Sequence, residues 1–206
     1  RGLGDVYKRQ LLDDHELVLE GIKNTLQKEP SFSIIGAFTK PTDFFQAMAN
    51  QSIDIVLLDM MLKGTHAFEL IPRIHTLTDD TLPKIIMLSG FYEPLLHKRA
   101  FELGIWAFLR KEASYDELIT TIKTVYHGNK VSPEHLFLEK DMRLLSEIER
   151  QVLELISQEQ TNEKIAKKLF ISRRTVENHV SSICNKLNVQ TRIGAVREGI
   201  KLNLIK

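Results

Sequence analysis

Three carboxylates, a hydroxyl and an ammonium group stand in the first half of the chain where they could act together on a phosphoryl group. Asp13 and Asp14 follow the apolar pair Leu11-Leu12, Asp59 closes the run Ile-Val-Leu-Leu, and Ser89 and Lys111 end two later apolar stretches. In an open parallel sheet, the loops at the carboxyl ends of the strands converge on one crevice, so these residues are expected to meet although they are far apart in sequence. Converging carboxylates repel one another unless a cation joins them, and a hard divalent ion with oxygen ligands, Mg²⁺, suits the set. A nucleophile, a metal for the phosphoryl oxygens, a fixed cation and a hydroxyl donor are what phosphoryl transfer to a carboxylate requires. Asp59 is the expected nucleophile, because it closes the apolar run Ile-Val-Leu-Leu.

The elements that must position these groups are legible in the hydrophobic pattern. Apolar runs at 33–38, 53–58, 84–88 and 106–109 have the length of strands buried on both faces, and a first strand is expected to lead into Leu11-Leu12. Helical patterns at 15–28, 42–50, 67–77, 93–103 and 115–126 alternate with them. Such alternation predicts an α/β fold, a five-stranded doubly wound parallel sheet over residues 11–126. Residues 1–10, RGLGDVYKRQ, do not begin with Met and resemble a translated adapter or assembly scar, so they are set apart as non-native.

His127-Gly128-Asn129 stops the fifth helix, and 127–143 reads as a linker without a strong period. The remainder, 144–206, is helical throughout, a second, smaller all-α domain of four helices. Ser146 and Glu149 have capping-box spacing ahead of Val152, Leu155 and Ile156. Ile165, Ala166 and Leu169 mark the buried face of a short helix, Phe170-Ile171 a turn, and Ser172 the N-cap of a longer helix. On that helix Val176, Val180, Ile183 and Leu187 form one apolar stripe. Arg173, Arg174, Glu177, Asn178, Ser181 and Asn185 fall opposite the stripe, where they could read base edges in a major groove. Thr175, His179, Ser182 and Lys186 flank them and are placed to reach phosphates.

Totals agree with this division. Residues 1–126 carry 14 Lys and Arg against 17 Asp and Glu, net −3, whereas 127–206 carry 14 against 10, net +4. An acidic domain joined to a basic one suits a partner that is a polyanion. With 43% hydrophobic and 27% charged residues, the composition excludes a disordered or collagenous chain. No apolar run approaches the roughly 18 residues of a membrane span, no signal-peptide core is evident, and a cytoplasmic location is expected. Cys184, the single cysteine, cannot form an internal disulfide or a cysteine-rich metal site.

The segment 145–200 closely resembles the LuxR-type four-helix DNA-binding domain. Leu145-Ser146, Glu149-Arg150, Val152-Leu153, Ile165-Ala166, Leu169, Ser172, Thr175-Val176, His179, Lys186-Leu187 and Arg192 carry the resemblance. Residues 11–126 resemble the receiver domain of two-component response regulators, a flavodoxin-like fold, and the two together are similar to the NarL/FixJ type. The resemblance implies that Asp59 accepts a phosphoryl group from a sensor histidine kinase or a small acyl phosphate. It implies that Asp14, Asp59 and the backbone carbonyl of Met61 hold Mg²⁺, with Asp13 contributing through water. Ser89 would move toward the phosphoryl group, Lys111 would pair with it, and Phe108 would change rotamer.

Two positions depart from the family pattern: Lys63 stands where a proline usually follows four residues after the phosphoacceptor, and Ala67 replaces a common glycine. Neither removes a reacting group. The expected function is a DNA-binding transcriptional switch controlled by Asp59, with no enzymatic turnover beyond autodephosphorylation. The resemblance also implies that the fourth helix of the DNA-binding domain, about 192–202, helps form a homodimer on paired half-sites when the protein is phosphorylated or DNA-bound. The alternative is a phosphorylation-independent DNA binder that uses its receiver only for dimerisation or partner contact.

Overall fold

The computed structural model describes residues 7–77, 82–90, 93–132 and 144–206, which build two compact units, one on a β-sheet and one on four helices. The main sheet is formed by β1 (Tyr7–Leu12), β2 (Phe32–Phe38), β3 (Ile55–Asp59), β6 (Lys84–Ser89) and β7 (Ala107–Arg110), all parallel, in the order β2-β1-β3-β6-β7. The expected five-stranded parallel sheet is thus present. Between its strands run α1 (Glu16–Leu26), α2 (Pro41–Met48), α3 (Ala67–Thr76) and α4 (Pro94–Glu102), and α5 (Tyr115–Tyr126) follows the last strand.

Every residue of β3 is buried, as a central strand covered on both faces requires. Leu11, Ile55, Leu57, Ile86, Leu88, Ala107 and Leu109 form one core with Leu19 and Leu26 of α1 and Leu118, Ile119, Ile122 and Val125 of α5. Alternate strand residues point to one face, so Ile55 and Leu57 pack there while Val56 and Leu58 turn to the other. Register fixes the functional edge. Asp59 pairs with Leu88 and Ser89 with Arg110, and the Lys111 amide donates to the Ser89 carbonyl at 2.8 Å.

The first strand is longer than the sequence suggests. Tyr7 to Gln10, set aside as part of a scar, pair with β2, Arg9 and Gln10 pair with β3 as well, and the β1–β2 register slips between Arg9 and Gln10. Arg9 and Gln10 are both 0% exposed. The Arg9 guanidinium lies 3.3 Å from the Phe32 ring centroid, and Nη1 donates to the Tyr7 carbonyl at 3.1 Å. Its Nε and Nη2, and both polar atoms of the Gln10 amide, have no hydrogen-bond partner. Burial pulls the Arg9 pKa down to about 10. Residues 1–6 of that segment lie outside the described residues, as do 133–143 of the expected linker; before them Val131 bridges to Ala107.

A feature too short for periodicity to reveal follows β3. Met61–Leu62 (β4) and Thr65–His66 (β5) pair antiparallel around Lys63-Gly64, with Gly64 at φ +76° in the left-handed region that a side chain disfavours. Lys63, where the resemblance would place a proline, stands at the turn of this hairpin.

The helical unit comprises α6 (Glu147–Ser157), α7 (Asn162–Leu169), α8 (Arg173–Lys186) and α9 (Arg192–Lys201). Ser146, Thr161, Ser172 and Thr191 cap their N-termini, and Ser146 with Glu149 forms the expected capping box. Val152, Leu153, Ile156, Ile165, Ala166, Val176, Ile183, Leu187 and Ala195 are buried in this unit. Gly199 admits the close approach of Leu153, whose Cδ2 would stand 2.8 Å from an added Cβ. Among the described residues, no helix is long and apolar enough to cross a membrane.

Candidate functional site

At the carboxyl edge of the sheet, β1 delivers Asp13 and Asp14 and β3 delivers Asp59. Ligand atoms of these three and His15 all lie within 4.8 Å of one another. Asp13 and Asp59 are 1% and 2% exposed. Lys111, just after β7, places Nζ 2.8 Å from Asp13 Oδ2 and 3.0 Å from Asp59 Oδ2. A cleft of about 250 Å³ is lined by His15, Val18, Asp59, Met61, Ser89, Gly90 and Lys111. The five residues singled out for phosphoryl chemistry therefore converge on one edge, with Ser89 in the cleft wall beside Asp59. Phe108 lies one strand away, on β7, paired with Met87 in the sheet register.

The electrostatics follow from this crowding. Burial pushes the Asp59 carboxyl above its ordinary range, and the neighbouring Asp13 charge adds to that; Lys111 and the Met61 amide, 3.4 Å from Oδ1, oppose it without cancelling it. Burial by itself would lower Lys111, yet the carboxylates of Asp13 and Asp59 outweigh it and hold the ammonium above its usual value. One lysine thus serves two carboxylates. Asp13 Oδ2, Asp14 Oδ1 and Asp59 Oδ2 are buried and accept no directed hydrogen bond, although Lys111 Nζ and His15 Nδ1 lie close. An all-oxygen donor set with buried, under-used lone pairs fits a hard divalent cation such as Mg²⁺.

On the helical unit, Ser172 ends the turn by accepting the Thr175 amide at 3.0 Å. Arg173, Arg174, Glu177, Asn178, Ser181 and Asn185 of α8 are exposed, while Val176, Ile183 and Leu187 are buried. Arg173 is gripped by Glu163 at 2.6 Å and Glu177 at 2.9 Å. Thr175 and His179 are half-buried at the border of the exposed face. Ser182 and Lys186 meet α6: Ser182 Oγ donates to Glu149 Oε1 at 2.6 Å, and Lys186 Nζ, on a side chain that stays 43% exposed, donates to Oε2 at 2.7 Å.

Residues 10–123 match the response regulator receiver domain, and residues 143–198 match the luxR family of bacterial regulatory proteins. The chain belongs to the LuxR-type response regulators. It is 28% identical over 188 residues to the transcriptional regulatory protein DesR of Bacillus subtilis (strain 168), covering 90% of this chain and 92% of DesR. It is 30% identical over 218 residues to LnrK of the same organism, covering 93% of this chain and 97% of LnrK. Among solved structures it is similar to the response regulator RcsB in its DNA complex, with TM-score 0.65 and 25% identity over 93% of this chain and 96% of that one. RcsB of Salmonella typhimurium gives TM-score 0.65 at 26% identity, over 93% and 98% of the two chains.

This response regulator is a DNA-binding transcriptional regulator of a two-component system. Three of its site residues escaped the sequence reading. His15 sends its backbone N–H to Asp13 Oδ1 at 2.9 Å and places Nδ1 2.9 Å from Asp14 Oδ1, a proximity its position beside the acidic pair could have suggested. Glu149 was legible as a cap but not as a partner of α8, because the 33 residues to Ser182 hide the contact. Glu163 gave no signal that it would meet Arg173.

Proposed function

We propose that this response regulator is switched by phosphorylation of Asp59. The observation that carries the reading is the convergence of Asp13, Asp14 and Asp59 on one buried edge, with Lys111 Nζ 3.0 Å from Asp59. An Asp59 oxygen forms a bond to phosphorus as the phosphorus–nitrogen bond of a phosphohistidine in a sensor kinase breaks, and the freed imidazole takes up a proton. Asp14, Asp59 and the Met61 carbonyl are the residues that would hold Mg²⁺ directly, with Asp13 acting through water. When bound, the ion supplies positive charge to the phosphoryl oxygens. Lys111 offsets the charge left on the acyl phosphate, and Ser89 donates its hydroxyl to a phosphoryl oxygen. Phe108 follows the Ser89 loop by changing rotamer. Slow hydrolysis of the acyl phosphate resets the switch.

The output is residues 144–206, joined to the receiver of 11–126 through 127–143. RcsB, similar to this chain along most of its length, has been solved bound to DNA. On α8, Arg173, Arg174, Glu177, Asn178, Ser181 and Asn185 face base edges, and Thr175 and His179 lie beside the phosphates. Exposed Ile193 and Ile200 on α9 offer an apolar face for pairing two copies on half-sites one helical turn apart.

Full-length protein incubated with acetyl phosphate and Mg²⁺ should gain one phosphoryl group by mass, and Asp59→Asn should gain none. Phosphorylation should then raise affinity in a DNA shift assay. Equal DNA affinity and oligomeric state for both proteins under these conditions would sink the switch and favour a phosphorylation-independent regulator.

A further inference from the structure

Among the described residues of the helical unit, Glu149 is the buried charged side chain, 4% exposed. Burying a carboxylate is unfavourable unless its oxygens are fully partnered. Here they are. Oε2 accepts the Ser146 amide at 2.7 Å and the Lys186 ammonium at 2.7 Å, and Oε1 accepts the Ser182 hydroxyl at 2.6 Å. Burial would raise the Glu149 pKa, but these donors outweigh it and bring it down to about 2. A capping box needs only the first of these contacts. The other two join the start of α6 to two positions of α8 that are four residues apart, and so share one face of that helix.

The apolar stripe of Val176, Ile183 and Leu187 holds α8 against the core by shape, which leaves small rotations about the helix axis cheap. Two charge-assisted hydrogen bonds at successive turns are directional and penalise such rotation. We infer that Glu149 is a positioning residue for DNA readout, setting the rotation of α8 so that Glu177, Asn178, Ser181 and Asn185 share one register toward the groove, and withholding Lys186 from the phosphates. The inference rests on the DNA-binding reading of α8 and adds to it a residue on another helix that never touches DNA.

The test uses the full chain and the consensus duplex that wild type enriches from a random pool, with a scrambled duplex as reference, across a salt series. Lys186→Met should leave the slope of log affinity against log salt at its wild-type value, because no phosphate contact is lost. It should also cut the consensus-to-scrambled affinity ratio about tenfold, the size of a mismatched base pair. Ser182→Ala should cut the same ratio by a smaller factor, also at constant slope. Glu149→Gln combined with Lys186→Met should bind more selectively than Lys186→Met alone, since no buried carboxylate is left unpaired. A slope reduced by about one in Lys186→Met would make it an ordinary phosphate contact and overturn the inference. An unchanged ratio in both single variants would overturn it too. If circular dichroism shows Lys186→Met unfolded, Ser182→Ala, which removes one hydroxyl, decides alone. Failure of wild type to enrich any sequence would strike the DNA reading itself, a result distinct from either of these.

Discussion

Lys111 Nζ stands 3.0 Å from Asp59 Oδ2, and the same nitrogen is 2.8 Å from Asp13 Oδ2. Asp59 therefore shares its counter-charge with a second carboxylate, and its pKa remains raised, chiefly by burial. A carboxyl raised on folding stabilises the fold below its unfolded pKa, and that contribution is lost as pH rises through the folded value. Above that folded value the pocket is thus a site of stored repulsion. Asp59→Asn should raise the thermal midpoint at pH 7 by a few degrees, where about 1 kcal/mol corresponds to roughly 2–8 °C across domains of about 60–250 residues. Millimolar Mg²⁺ should raise the wild-type midpoint and move that of Asp59→Asn less. A calorimetric scan showing no gain for the variant would remove the repulsion from this account.

The buried Arg9 and Gln10 side chains predict an improvement by substitution. Each leaves polar atoms unpartnered in the sheet, at a cost of about 1–3 kcal/mol per group. Arg9→Ile and Gln10→Val should each raise the urea midpoint of the sheet unit without changing phosphorylation by acetyl phosphate. Chemical denaturation followed through Trp106 fluorescence checks this.

Glu149 gives a pH dependence of opposite sense. Its folded pKa of about 2 lies below the ordinary 4.5, so its stabilisation is complete above 4.5 and is lost as pH falls toward about 2. The stability difference between wild type and Glu149→Gln should be largest near neutrality and shrink across that acidic window. Helical circular dichroism during denaturation at several pH values measures it.

Gly199 makes a simpler case. An added Cβ would stand 2.8 Å from Leu153 Cδ2 and 3.3 Å from Ile205 Cγ1. Gly199→Ala should destabilise the helical unit by about 1–3 kcal/mol through overpacking, despite alanine's better helix propensity. Thermal unfolding of the two proteins side by side would show it.

What the sequence revealed depended on the reach of each signal. The run Ile55 to Asp59 announced a buried strand and its terminal carboxylate because burial on both faces leaves an uninterrupted apolar stretch. The caps at Ser146 and Ser172 were legible because their chemistry is local. The turn before α8 was placed at Phe170, but not its left-handed φ of 56° or its 95% exposure, since glycine or asparagine is the usual sign of that conformation. The hairpin of β4 and β5 spans too few residues for any period to emerge. Contacts such as Ser182 with Glu149 and Lys111 with Asp13 join segments that composition treats as strangers; the second was inferable through strand ends, the first was not.

The strand order has a consequence for how the chain is made. β1 lies between β2 and β3, so the stretch from Tyr7 to Asp59 contains three adjacent strands and all three pocket aspartates, and it leaves the ribosome ahead of the rest of the sheet. Lys111, the ammonium that later offsets them, is about fifty residues behind, several seconds at ordinary synthesis rates of about 5–20 residues per second. During that interval, protons or dissolved divalent ions are the available counter-charge for the nascent acidic edge. The level of dissolved cations would then influence how readily the emerging half of the receiver docks its strands, before Lys111 has joined them.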